Sequence, residues 1–337
     1  MFLFLAFMFL VLVSYLCTFF LRRYAISSSL IDVPNDRSSH TVPTPRGGGV
    51  AIVVTFLACT VALSLFGFID VPTLVALLGA GTGIAVLGFL DDHGHIDARW
   101  RLLGHFAAAA WGLYWIPGLP VLSMYGYNIT TVWLITPFAV LYLVWLLNLY
   151  NFMDGIDGLA SIEAISICLC VGLIYWSVGL PNQLLLPPIL LASAVSGFLI
   201  WNFPPAKIFM GDAGSGFLGI ILGLLSIQGA VLSPRFLWVW LILLGVFIVD
   251  ATFTLLRRIA NGKKPYEAHR SHGYQRASRT FGAHLPVTIS IGLVNVIWLM
   301  PIAYLVSISV LEGLVGLLLA YTPLTIIAYK FKAGVAD

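Results

Sequence analysis

Apolar residues gather along this chain into long runs separated by short polar stretches. The first run occupies residues 1–21, and ten more follow at 49–66, 71–90, 102–116, 129–147, 160–180, 184–201, 216–232, 236–256, 285–306 and 308–329. A bilayer crossing takes about 20 helical residues, so most of these runs predict a transmembrane helix. The run at 102–116 is short and the last two nearly touch, which leaves ten or eleven spans. The pattern predicts an all-α polytopic membrane protein, with residues 1–337 forming one integral-membrane domain. No internal repeat, soluble domain or low-complexity segment interrupts it.

Composition agrees with this pattern. Hydrophobic residues make up 60% and charged residues 9% of the 337, and the mean hydropathy of +0.99 excludes a water-soluble globular domain of this length. The net charge of +3 says little until the cations are placed. Every Lys and Arg except Arg235 lies in a loop after an odd-numbered span or in the C-terminal tail. The positive-inside rule then puts those loops and the C-terminus in the cytoplasm and the N-terminus outside. No basic residue precedes the first run and Arg22-Arg23 follow it, so a retained helix is expected rather than a cleaved signal. Cys17, Cys59, Cys168 and Cys170 fall inside apolar runs without metal-ligand spacing and read as core residues.

The chemistry concentrates in the loops of that one face. The most polar island covers residues 148–158, where Asn148, Asn151, Asp154 and Asp157 recur every three residues. On a helix they would drift by roughly 60° per step, but Gly155 and Gly158 favour a turn. Two amides and two carboxylates at a membrane boundary are costly to desolvate and should face water or a ligand. Asp91-Asp92 closes the third run, followed by His93, His95 and Asp97. Adjacent acids on a helix project about 100° apart, so one would enter a site while the other holds a cation or backbone. An acidic turn balanced by Arg99 and Arg101 is the plainer alternative.

After the seventh run, Asn202-Phe-Pro-Pro-Ala-Lys207 leads to Phe209 and to Asp212 between glycines. Amides and a carboxylate in such a turn can address a metal-bound phosphate, or the stretch is only a re-entrant turn. The fifth loop carries His269-Arg270-Ser271-His272 and Gln275, donors suited to a sugar or polyanion, or to an anionic membrane surface. Arg46 precedes Gly47-Gly48-Gly49, either a phosphate nest or a place for close helix packing. Asp250 is expected to pair with Arg257 or Arg258, the alternative being that it faces a lipid-substrate pocket. Together the loops suggest a membrane enzyme for a phosphorylated substrate and a lipid, with all-oxygen ligation favouring Mg²⁺ over Zn²⁺. A transporter or lipid-linked sugar flippase is the rival reading, but it would place acids along a path through the bilayer. Asp154-Gly-Ile-Asp157-Gly faintly resembles the motif of the CDP-alcohol phosphotransferases, but this chain lacks that motif's following arginine and spaced downstream aspartates.

Asp91-Asp92, the 148–158 island, the Phe209-Met-Gly-Asp212 turn and the histidine-bearing loop resemble, in that order, the signature loops of the polyprenyl-phosphate N-acetylhexosamine-1-phosphate transferases. The likeness covers nearly the whole chain. It implies transfer of an N-acetylhexosamine 1-phosphate from a UDP-sugar to undecaprenyl phosphate, with Mg²⁺ or Mn²⁺, at a bacterial cytoplasmic (inner) membrane. It implies that Asp91, Asp92 and Asp212 are catalytic, with Asp212 and Asp92 at the metal. It assigns Asn151, Asp154, Asp157, Asn202, Phe209, His269, Arg270 and His272 to substrate, Phe209 by stacking on uracil, and the reading of the loops themselves adds Arg46, Asn148 and Lys207. A homodimer is admitted and no nucleic-acid partner is implied. The muramoyl-pentapeptide enzymes have three consecutive histidines in the fifth loop and typically Met where this chain has Arg46. Both departures point to initiators of O-antigen or related surface polysaccharides, taking N-acetylglucosamine or a 6-deoxy sugar such as N-acetylfucosamine or N-acetylquinovosamine.

Overall fold

The computed structural model describes residues 2–34, 39, 41–94, 96–264 and 269–335. His40, His95 and Arg37 lie outside the described residues. Every apolar run becomes helix. The first four are α1 (Phe2–Ser27), α2 (Val50–Leu65), α3 (Val71–His93) and α4 (Ala98–Trp115), followed by α5 (Val132–Met153), α6 (Leu159–Ser177), α7 (Asn182–Asn202) and α8 (Asp212–Leu232). The ninth run is two helices, α9 (Pro234–Leu243) and α10 (Gly245–Ala260). A short helix the apolar pattern could not announce, α11 (Gly273–Phe281), forms within the fifth loop. Then come α12 (His284–Val294), a π-helical turn (Asn295–Leu299), α13 (Met300–Ser307) and α14 (Gly313–Lys330). The only strands among the described residues are two short antiparallel pairs, β1 (Ile31–Asp32) with β2 (Thr44–Pro45) and β3 (Leu122–Met124) with β4 (Tyr127–Ile129).

This is an all-α polytopic membrane protein, and not every helix that answers an apolar run has the length and composition of a full span. Among the described residues eight helices are long and apolar enough to cross, or nine if α9 and α10 form one span bent by 71°. Helix α2 has 16 residues, about 24 Å at 1.5 Å per residue, short of a hydrocarbon core of about 30 Å. Helix α4 opens on Arg99, Trp100 and Arg101, and that polar first turn keeps it off the spanning set. The run at 285–306 is one span through the π-helical turn, from His284 to Ser307.

Burial ranks the helices. Phe217, Leu218, Ile220, Ile221, Leu222 and Leu224 on α8 are fully buried, whereas α1 exposes Leu5, Phe9, Leu12 and Phe20. Helix α8 is therefore the axis and α1 part of the lipid-facing wall. Small residues let neighbours reach it: a Cβ on Gly49, at the head of α2, would lie 2.4 Å from Gly214 Cα. The same crossing is tied by the Gly48 and Gly49 amides, which donate to the Phe209 and Met210 carbonyls at 2.9 Å each. Of the two readings of the glycine triplet, close packing is the one observed, because those amides are already engaged.

Candidate active site

A cavity of about 360 Å³ opens where the polar loops meet at one end of the bundle. Helix α5 runs on through Met153, so Asn148 and Asn151 lie on its last turns and Asp154 follows as its cap. Gly158, at φ 72°, then turns the chain into α6. Asn151 and Asp154 face the cavity, and neither side chain has a hydrogen-bond or ion-pair partner among the described residues. Burial pushes the Asp154 carboxyl well above the usual range; Arg46 opposes this, while Asp212, Asp92 and Asp157 add to it.

Asp212 begins α8, after Gly211 at φ 78°. The left-handed turn lets Asp92 close in: a Cβ on Gly211 would lie 2.6 Å from Asp92 Oδ2. The amides of Asp212 and Ala213 donate to the Asp92 carboxylate at 3.1 and 3.4 Å, satisfying N–H groups that a helix start leaves open. Arg46 bridges the two acids, 2.8 Å from Asp92 and hydrogen-bonded to Asp212. Asp91 turns the other way, to Arg101 at 2.5 Å and the Ile96 amide at 2.8 Å, and Arg101 also lies 3.6 Å from Asp212. The adjacent acids diverge as a helix requires, but neither lines the cavity: both stand behind Asp212 as its support. The balance with Arg101 holds for Asp91, while Arg99 pairs with the exposed Asp97.

Asp157 is partly engaged. Its Oδ2 accepts from the Ala206 amide at 3.0 Å and its Oδ1 is 3.2 Å from His284 Nδ1. Asn202 is buried and joins two loops, accepting from the Gly158 amide at 3.0 Å and donating to the Ile208 carbonyl at 3.0 Å. Phe209 lies on the cavity wall. Its backbone is fixed by its amide donating to the Pro45 carbonyl at 2.8 Å.

Several expected substrate residues stand elsewhere. Asn148 lies off the cavity because its amide donates to the Val144 carbonyl at 2.7 Å and to His105 at 3.3 Å. Lys207 points outward, with its ammonium 5.6 Å from the centre of the Trp201 ring, a cation–π contact. In the fifth loop, His272 is buried as the cap of α11 and lies 3.4 Å from Asp250. Asp250 accepts from the Gly273 and Tyr274 amides at 2.9 and 2.8 Å. Helix α11 and His272 thus supply what Arg257 or Arg258 was expected to give, and Arg257 donates instead to the Ala333 carbonyl. His269 stacks on His272 with ring centres 4.8 Å apart; burial, with His272 and Arg258 adding to it, lowers its imidazole to about 4. Neither histidine nor Arg270 lines the cavity. The loop enters it through Gln275, while the Tyr274 hydroxyl donates to the Phe152 carbonyl at 2.9 Å.

The sequence reading missed His284 and Ser215 as cavity residues. His284 bridges Asp157 to the Ser39 carbonyl, 3.1 Å from its Nε2. Its only signal was a lone histidine directly before an apolar run. Among the described residues no three acids, histidines or cysteines stand close enough to form a ready metal cluster. The oxygens of Asn151, Asp154 and Asp212 nevertheless share one cavity, and two of these side chains have no partner, a donor set that suits a hard divalent cation. Asp92 suits the role less, because α8 amides and Arg46 occupy its oxygens.

The fold and site define a multi-pass membrane protein with a carboxylate-lined cavity at one end of its helices. Residues 74–230 match glycosyl transferase family 4. Over 266 residues the chain is 34% identical to a probable undecaprenyl-phosphate N-acetylglucosaminyl 1-phosphate transferase of Bacillus subtilis, covering 76% of this chain and 71% of that protein. It is 31% identical to the decaprenyl-phosphate N-acetylglucosaminephosphotransferase of Mycolicibacterium smegmatis, covering 81% and 74%. A 28% identity links it to the undecaprenyl-phosphate alpha-N-acetylglucosaminyl 1-phosphate transferase of Thermotoga maritima, covering 80% of each chain. The chain belongs to glycosyl transferase family 4, the superfamily of polyprenyl-phosphate N-acetylhexosamine-1-phosphate transferases that its loops resemble.

Proposed function

We propose that this protein transfers N-acetylhexosamine 1-phosphate from a UDP-sugar to undecaprenyl phosphate, releasing UMP, at the cytoplasmic face of a bacterial inner membrane. The observation that carries the reading is the cavity in which Asn151 and Asp154 stand unpartnered beside Asp212 and Arg46. An oxygen of the lipid phosphate attacks the β-phosphorus of the donor. The bond from that phosphorus to the bridging oxygen breaks, UMP leaves, and the sugar keeps its bond to oxygen. Two anions must meet, so charge cancellation and in-line alignment are the protein's main contributions. Arg46 and Arg101, both at Asp212, are the cations placed to cancel charge, and Phe209 offers a flat wall to the base. Mg²⁺, when bound, would be held by Asp212 with Asn151 and Asp154, and would neutralise diphosphate charge.

The relatives' names favour N-acetylglucosamine as the sugar, and the fifth-loop departures favour initiation of O-antigen or another surface polysaccharide over peptidoglycan. The test is purified protein with undecaprenyl phosphate, Mg²⁺ and a panel of UDP-N-acetyl sugars, 6-deoxy sugars included. UMP release that requires both lipid phosphate and metal is expected, fastest with the N-acetylglucosamine donor. Folded protein that is silent across the panel, or that releases CMP from CDP-alcohols instead, would overturn the reading.

A further inference from the structure

Beyond α14 the chain turns back onto the fifth loop. Ala333 is fully buried, and its carbonyl accepts from Arg257, in the last turn of α10, at 3.2 Å. The Val335 carbonyl accepts from the Arg276 guanidinium on α11 at 2.6 Å. Between them Gly334, at φ 77°, donates its amide to the Ser271 carbonyl at 2.8 Å. The position suits glycine alone, since a Cβ on it would lie 2.8 Å from the Thr254 carbonyl oxygen and 2.9 Å from Arg257 Cβ. Three consecutive residues thus tie together the end of α10, the entry to α11 and α11 itself.

The tie at Ser271 reaches the cavity through a single peptide group. The oxygen of that peptide accepts from Gly334, and its N–H, which belongs to His272, donates to Gln275 Oε1 at 3.3 Å. Because the peptide is planar, holding its oxygen also sets the direction of its N–H. A backbone N–H only donates, so the Gln275 carboxamide gives it the oxygen and keeps Nε2 free. Gln275 is 8% exposed and lines the carboxylate cavity. Its Nε2 lies beside Gly155, 3.3 Å from where a Cβ on that residue would stand. It has no hydrogen-bond partner among the described residues. The result is a buried amide donor with a fixed aim and nothing yet to receive it.

We propose that Ala333, Gly334 and Val335 form a positioning strap, which holds the Ser271–His272 peptide so that Gln275 Nε2 donates a hydrogen bond to the nucleotide-sugar in the cavity. The proposal rests on the reading of that cavity as the UDP-sugar site. Gln275 is the group that touches substrate, and Gly334 acts through it. A side chain already held in its binding rotamer loses little freedom when the ligand arrives, so the strap acts by preorganisation. Its loss is therefore read in UDP-sugar affinity, while the charges that serve phosphoryl transfer stand apart from it at Arg46 and Asp212.

The test is a double-mutant cycle of Gly334→Ala and Gln275→Ala in the full-length protein, read as affinity for UDP-N-acetylglucosamine by calorimetry without lipid. Each single variant should weaken binding by about three- to tenfold, the factor for one neutral hydrogen bond. For Gly334→Ala the loss should fall on KM rather than on kcat. The double variant should bind no more weakly than Gln275→Ala alone, because the strap then has nothing left to position. Should Gln275→Ala loosen α11, Gln275→Glu keeps the oxygen that accepts from His272 and removes only the donor, and it should lose affinity too. Losses that multiply in the double variant, or a Gly334→Ala protein that melts lower yet binds as the parent does, would overturn the strap. So would Gln275→Glu binding like the parent. These three results leave the transfer reaction standing, whereas a parent that binds no UDP-sugar would overturn the proposed function and the strap with it.

Discussion

Two polar clusters interrupt this apolar bundle, and they are finished differently. At the open end, Asn151 and Asp154 face the cavity without partners while Arg46 spans Asp92 and Asp212. Between α6 and the π-helical turn, Glu163 and Asn295 are fully buried and facing, with the Asn295 amide donating to Glu163 Oε2 at 2.6 Å and to Ser166 at 2.8 Å. Both clusters contain a carboxylate and an amide, yet only the first adjoins a space that a ligand could enter. The inner one ties α6 to the turn where α12 departs from regular helix, and its two leftover oxygens, Glu163 Oε1 and Asn295 Oδ1, are buried without a hydrogen-bond partner. A polar group near a membrane thus signals function only when its partners are missing and solvent or ligand can supply them.

The comparison breaks most visibly at Asp212. Asp212→Asn should lower metal-dependent UMP release by roughly a hundredfold or more, with a melting temperature close to the parent's. Near-normal turnover and Mg²⁺ dependence would remove it from the reacting centre. Asp154→Asn separates activity from stability with a definite sign. Because burial raises this carboxyl, the folded state keeps a proton that the unfolded state has lost above about pH 4. The acid therefore costs more stability as pH rises. The variant should lose turnover yet melt higher than the parent, with the gain larger at pH 8 than at pH 5. A gain independent of pH would mean that Asp154 is ionised in the folded protein.

The inner cluster should behave oppositely. Glu163→Ala strands the Asn295 amide and should cost about 1–3 kcal/mol, whereas Glu163→Gln, close in shape, should retain most stability and turnover. Loss of turnover in Glu163→Gln with an unchanged melting temperature would mean that the two clusters communicate. The smallest effects belong to residues the motif suggested and the geometry moved aside. Lys207→Ala should change the KM for the UDP-sugar by less than about twofold, since an exposed cation over a ring contributes of order 0.5–1 kcal/mol to its own loop. A KM rise above about tenfold would return Lys207 to the site.

Helix existence was legible because burial in lipid demands long apolar runs, and each run became helix. Span number was less legible. The 71° break between α9 and α10 lies inside one apolar run, and lipid does not mark a bend in composition. Helix α11 was hidden for the opposite reason: it is amphipathic and polar, and Asp250, 23 residues before Gly273, supplies the acceptor for its first amides. In the site, Asp154, Asp157 and Asp212 were visible as acids beside glycines at span boundaries. Asn148 shared their spacing and was drawn in by it, although three residues along a helix turn a side chain far enough to meet His105 rather than the cavity.

By itself the sequence determined that this chain lives in a membrane, that its helices carry the fold, and that its carboxylates and amides gather in the polar loops. Those are consequences of transfer free energy and of residue type, and both are local. Only the tertiary structure decided which polar groups are satisfied and which stand open. Asp92 became a support for α8 because two helix ends meet there, Arg46 reached across from the first loop, and Asp154 was left facing an empty volume. Hydrogen-bond satisfaction depends on distant segments arriving at one point, and a linear pattern does not record that distance.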